Sequence, residues 1–148
     1  SRPRALRTSC LTSREPFRIP VRVYYQDTDA GGVVFHGRYL EFMERARTEL
    51  LNAAGLDLAR IAREQRLMFL VFRICITYHQ PGLLNDMLGA SAEVAKMGRA
   101  SVTFRQRVER GAELLVEAEV TLALVDCDRM KPARFPESLA KELERALK

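Results

Sequence analysis

Histidine is scarce in this chain. His36 and His79 are the only two, they lie far apart, and His79 comes just before Pro81. No metal-ligand spacing can be built from them. The three cysteines, Cys10, Cys75 and Cys127, are scattered, odd in number and free of any Cys-x-x-Cys pair. That argues for a reducing compartment and against a disulfide framework. Cys75 falls inside an apolar run with no histidine beside it, which disfavours a nucleophilic cysteine. No apolar stretch approaches the roughly 20 residues that span a bilayer. There is also no glycine-rich phosphate loop, no Ser-His-Asp order, no nucleic-acid module and no internal repeat.

The composition is that of a soluble globular protein, with 47% apolar and 29% charged residues over 148 positions. This length suits one domain with one core. A net charge of +5 and a pI near 9.4 suit anionic ligands without pointing to nucleic acid. Residues 1–16 carry Arg2, Arg4, Arg7 and Arg14 and read as a flexible basic arm, with a targeting segment or an anionic-surface arm as alternatives. Residues 17–148 read as the folded domain.

The chemistry concentrates in Tyr24 to Arg47, YYQDTDAGGVVFHGRYLEFMERAR. Asp29 and His36 are separated by Gly31 and Gly32, so the chain can fold back and bring both side chains to one ligand. From Tyr39 onward apolar residues recur at Phe42, Met43, Ala46, Leu50, Ala53 and Ala54, the spacing of a buried helical stripe. Glu41 and Arg45 form an i,i+4 pair, and Gly55 stops the helix. The turn thus meets a helix N-terminus, where unpaired N–H groups attract negative charge. Taken alone, Asp29 reads first as a turn or cap aspartate.

Around this centre the pattern is mostly strand. Phe17, Ile19, Val21, Val23 and Tyr25 alternate on one face, and Pro20 suggests a sheet edge. Asp57–Gln65 can form a short helix. Leu67–Tyr78 is nearly continuously apolar and reads as a central strand buried on both faces. Met87–Lys96 and Ser101–Arg110 form a hairpin about Gly98. Gly111 turns into a strand with Leu114, Val116, Ala118, Val120, Leu122 and Leu124 inward. Pro132 and Pro136 end the sheet, and Leu139, Leu143 and Leu147 mark a closing helix with a Glu137–Lys141 pair. The expected fold is α+β, a five-stranded antiparallel sheet in meander wrapped around one long helix, with a short C-terminal helix.

The run Tyr25-Gln26-Asp27-Thr28-Asp29-Ala30-Gly31-Gly32-Val33-Val34-Phe35-His36, followed by Tyr39, Glu44, Ala46 and Arg47, resembles the hot-dog-fold acyl-CoA thioesterases. Within them it is most similar to the 4-hydroxybenzoyl-CoA thioesterase-like branch associated with the bacterial Tol-Pal cell-envelope system. The resemblance implies that Asp29 is the catalytic carboxylate, acting as base toward water or as nucleophile. It implies that the His36 backbone N–H polarises the thioester carbonyl, while the imidazole orients it or shuttles a proton. It also implies that Tyr25, placed inward by the alternation, walls the site. Asp27 is then a partner of the turn, and Glu44 pairs with Arg47 on the helix surface. Arg38, beside His36, stands where a small residue is usual and could tune substrate choice.

Coenzyme A brings a 3′-phosphate and a diphosphate, which need cations. Lys96, Arg99, Arg105 and Arg107 cluster around the hairpin, and Lys131 and Arg134 precede the last helix. The resemblance places coenzyme A across a subunit interface near that hairpin, making Arg99 and Ser101 the first choices. It further implies a homodimer, assembling to a homotetramer, in the cytoplasm or peripheral at the inner membrane, with an acyl-CoA or acyl-carrier-protein thioester as substrate. No metal or redox cofactor is expected, and coenzyme A enters only with the substrate. The rival readings are a hydratase or dehydratase on acyl thioesters, and a non-catalytic acyl-thioester-binding adaptor.

Overall fold

The structure is a computed structural model that describes residues 15–147; the arm expected over 1–16 lies almost wholly outside the described residues. Strand β1 (Phe17–Arg22) leads through a single 3-10 turn (Tyr25–Asp27) into helix α1 (Arg38–Ala53) and the short α2 (Leu58–Gln65). Strands β2 (Leu67–Tyr78), β3 (Met87–Met97), β4 (Ser101–Arg110) and β5 (Glu113–Asp126) follow. A two-residue β6 (Lys131–Pro132) and α3 (Glu137–Leu147) close the chain. All pairings are antiparallel and the sheet order is β1-β3-β4-β5-β2. This is the hot-dog arrangement, with α1 laid against the sheet through Phe42, Met43 and Ala46, each fully buried beside Phe104 and Val108.

Local chemistry explains the boundaries. Asp57 caps α2, its Oδ1 accepting from the Ala59 and Arg60 N–H groups. In β5 the inward residues from Val116 to Leu124 are buried while Glu117 and Glu119 face out. The Glu137–Lys141 pair forms at 3.7 Å. As Pro20 suggested, β1 lies on a sheet edge.

Several expectations meet their outcome here. The first strand stops at Arg22, because the Asp27 carboxylate accepts the Tyr24 N–H at 2.8 Å and turns the chain out of the ladder. Tyr25 is therefore 82% exposed instead of facing inward. Strand β2 is not central, since it pairs with β5 and occupies the far edge. Its Val71/Arg73 bulge leaves Phe72 out of register and 70% exposed, and Cys75 is exposed as well. Pro132 does end the sheet, as the last residue of β6, where it pairs with Val125. On α1, Arg47 is buried rather than paired with Glu44 on the surface, and Leu51 is buried where Leu50 is only half so.

Candidate active site

The Asp29 turn is built largely from backbone. The Asp29 N–H donates to the Val33 carbonyl at 2.9 Å and the Gly32 N–H returns to the Asp29 carbonyl at 2.9 Å. Gly32 sits at φ +81°, a conformation that favours glycine. The Gly31 N–H donates to Asp29 Oδ1 at 2.8 Å, which orients the carboxylate. Among the described residues nothing bonds Oδ2, so one oxygen of Asp29 is free to act. Beneath the turn, Asp27 is 3% exposed and holds the Tyr24 N–H, with Arg38 Nε 3.7 Å from its Oδ1. Asp27 is structural, as expected. Arg38 is engaged too, donating to Glu41 Oε1 and to the Gln26 carbonyl, so it braces the turn.

Helix α1 starts at Arg38 behind Gly37, with no side-chain cap. Among the described residues, no group accepts from the His36 or the Gly37 N–H. These are helix-terminal donors facing no protein partner, and the field of the helix adds positive potential there. Asp29 and His36 line one cleft of about 320 Å³, together with Val34, Tyr39, Tyr78, His79 and Pro81. A carboxylate with a free oxygen and the unpartnered amide of His36, both on residues of one partly apolar cleft, can activate water, or attack, while an oxyanion is held.

Sequence reasoning missed three members of the surroundings. The Tyr78 hydroxyl donates to the His36 carbonyl at 3.0 Å. The Tyr39 hydroxyl accepts the Gly82 N–H at 2.9 Å, and burial raises its phenol above the ordinary value. His79 Nε2 lies 2.8 Å from Glu117 Oε2, so both histidines border the cleft although they are distant in sequence. Tyr39 showed only in an apolar stripe and in the motif that carries the resemblance, with no role assigned, and Tyr78 only as the end of a strand. Tyr25 does not line the cleft on one chain. A larger groove of about 500 Å³ on the outer sheet face is lined by residues that include Glu93, Arg105, Arg107 and Glu119, and its arginines already face carboxylates.

Backbone bonds bring the segments of four residues expected to hold coenzyme A to one end of the sheet. The Phe135 N–H donates to the Arg99 carbonyl at 3.0 Å, and Leu124 links Ala100 to Ala133. Arg99, Ser101, Lys131 and Arg134 therefore share the hairpin end of the sheet. That end is remote from Asp29 within one chain. Tyr78 pairs with Val116, while Ser101 pairs with Ala123 seven residues along the same strand, roughly 24 Å away.

Residues 31–121 match the model of the thioesterase superfamily. The chain is 45% identical over 123 residues to the acyl-CoA thioesterase YbgC of Haemophilus influenzae, covering 83% of this chain and 90% of the relative. It is 43% identical over 129 residues to the acyl-CoA thioester hydrolase YbgC of Escherichia coli O157:H7, covering 86% and 96%. A probable thioesterase from Bartonella henselae superposes with a TM-score of 0.78 at 33% identity, over 82% of this chain and 100% of that one.

Proposed function

The chain belongs to the thioesterase superfamily, and from that membership and the geometry of the cleft we propose that it hydrolyses acyl-CoA thioesters to a carboxylate and free coenzyme A. The observation that carries the reading is the placement of Asp29 and the unpartnered His36 amide along one cleft. Two routes fit. Asp29 takes a proton from water, hydroxide adds to the carbonyl, and the C–S bond breaks to release the thiolate, which regains a proton. Alternatively Asp29 adds to the carbonyl, thiolate leaves, and water hydrolyses the mixed anhydride. In both, the His36 N–H holds the oxygen on which charge develops. No metal or redox cofactor is used, and coenzyme A is part of the substrate.

We place the coenzyme A phosphates on Arg99, Ser101, Lys131 and Arg134 of a second subunit, since on one chain these residues lie too far from Asp29. The exposed β2 edge supports such an assembly, with Leu70, Val71 and Phe72 left 40%, 53% and 70% exposed. A homodimer, with a homotetramer built from it, is the proposed state. Tyr25 is retained only as a wall of that assembled site. Among the described residues no helix is long and apolar enough to cross a membrane. A cytoplasmic place, or a peripheral one at the inner membrane, and a link to the Tol-Pal system rest on the resemblance alone.

The experiment is thiol release from a panel of saturated acyl-CoAs and an enoyl-CoA. Thiol release from both classes is expected. Loss of enoyl absorbance without thiol would make the protein a hydratase, and binding without any thiol release would make it an adaptor.

A further inference from the structure

Two successive peptides lead into α1, and each is held by its carbonyl. The Phe35 carbonyl accepts the Arg38 N–H at 2.9 Å, which fixes the peptide carrying the His36 N–H. The next carbonyl, of His36, receives no helical N–H among the described residues, since Leu40 bonds the Gly37 carbonyl. It is taken instead by the Tyr78 hydroxyl, at 3.0 Å, from the end of a strand 42 residues away in sequence. The Tyr78 ring is itself fixed, edge-on to His36 at 6.4 Å and to Tyr39 at 5.8 Å. Tyr39 in turn pins the loop after Tyr78 through Gly82. Desolvation holds the Tyr78 phenol above its ordinary value, so the hydroxyl remains a donor at neutral pH.

We infer that Tyr78 is a positioning residue for a two-amide cradle, the His36 and Gly37 N–H groups, at the start of α1. The inference rests on the thioesterase reading above. A peptide is planar, and this one is trans, so gripping its carbonyl fixes the opposite direction of the Gly37 N–H. A hydrogen bond into the carbonyl also polarises the same amide, strengthening its N–H by roughly 10–30%. Tyr78 therefore sets both the aim and the strength of the second donor, without touching a reacting atom.

Tyr78→Phe removes the hydroxyl and keeps the ring contacts. Losing an oxyanion donor outright costs about 10²–10³ in turnover, and loosening one is expected to lower kcat about tenfold, with KM and melting temperature close to wild type. The direct readout is the infrared stretch of a ¹³C-labelled thioester carbonyl, using the acyl-CoA that the panel releases fastest, bound to the non-hydrolysing Asp29→Asn protein. The stretch should lie below that of free thioester in Asp29→Asn, and move back toward it in Asp29→Asn/Tyr78→Phe. An unmoved stretch and unchanged kcat on removing the hydroxyl would overturn the role of Tyr78, as would a loss of stability without a change in stretch. A carbonyl unshifted already in Asp29→Asn, or no thiol release from the panel by wild type, would instead overturn the thioesterase reading on which this role rests.

Discussion

Helix α1 carries polar groups in two places and treats them in opposite ways. At its start the His36 and Gly37 amides are unpartnered among the described residues, and Asp29 opposite them keeps one free oxygen. Near its middle Arg47 is buried against Gln106 of β4, and there hydrogen bonds are made. Arg47 Nη1 donates to Gln106 Oε1 at 3.0 Å, and Gln106 Nε2 donates to the Met43 and Ser91 carbonyls at 2.9 and 3.1 Å. Burial lowers the Arg47 pKa from its ordinary value. An unpaired amide at an open cleft still meets water and costs little. An unpaired amide group in the core would cost about 1–3 kcal/mol. The first region is therefore available to a substrate, while the second fastens the helix to β3 and β4.

Substitutions can break this division of labour. The largest effect is expected at Asp29→Asn, which should lower kcat about 10³-fold, the scale of a lost general base. Its melting temperature should stay close to wild type, because the Gly31 N–H can bond an amide oxygen as it bonds the carboxylate. Gln106→Leu should do the reverse. It strands Arg47, whose side chain bonds Gln106 Oε1, and costs about 2–3 kcal/mol in urea unfolding, with kcat per folded enzyme nearly unchanged. A kcat loss without a stability loss in that variant would erase the distinction between the two regions. Gly31→Ala is the finest probe. Its Cβ would stand 3.2 Å from Asp29 Oδ1 and push the carboxylate by a few tenths of an ångström. A fall in kcat of about tenfold is expected, with unfolding midpoints unmoved.

The same contrast explains what the sequence disclosed. The helix, the hairpin about Gly98 and the alternation of β5 were legible because each follows a local period. The Asp29–His36 turn was legible because glycines and a helix start lie within one short stretch. Arg47 was misread because a helical spacing to Glu44 is local information, whereas its partner Gln106 lies across the core. Strand β2 was misplaced for a related reason. A continuous apolar run is the mark of a strand covered on both faces, and here the edge stays bare on one chain. Tyr25 fell to a single side-chain bond, Asp27 to the Tyr24 amide, which ended the strand three residues early. The link from Tyr78 to His36 had no local signal at all, since it joins a strand end to a helix start.

The claim that a backbone donor at the start of α1 works on the same carbonyl as Asp29 has one direct test. Incorporating the α-hydroxy analogue of histidine at position 36 turns that amide into an ester, deleting the N–H while leaving every side chain in place. A fall in kcat of about 10²–10³ with an unchanged melting temperature is the expected result; an unchanged kcat would contradict the account.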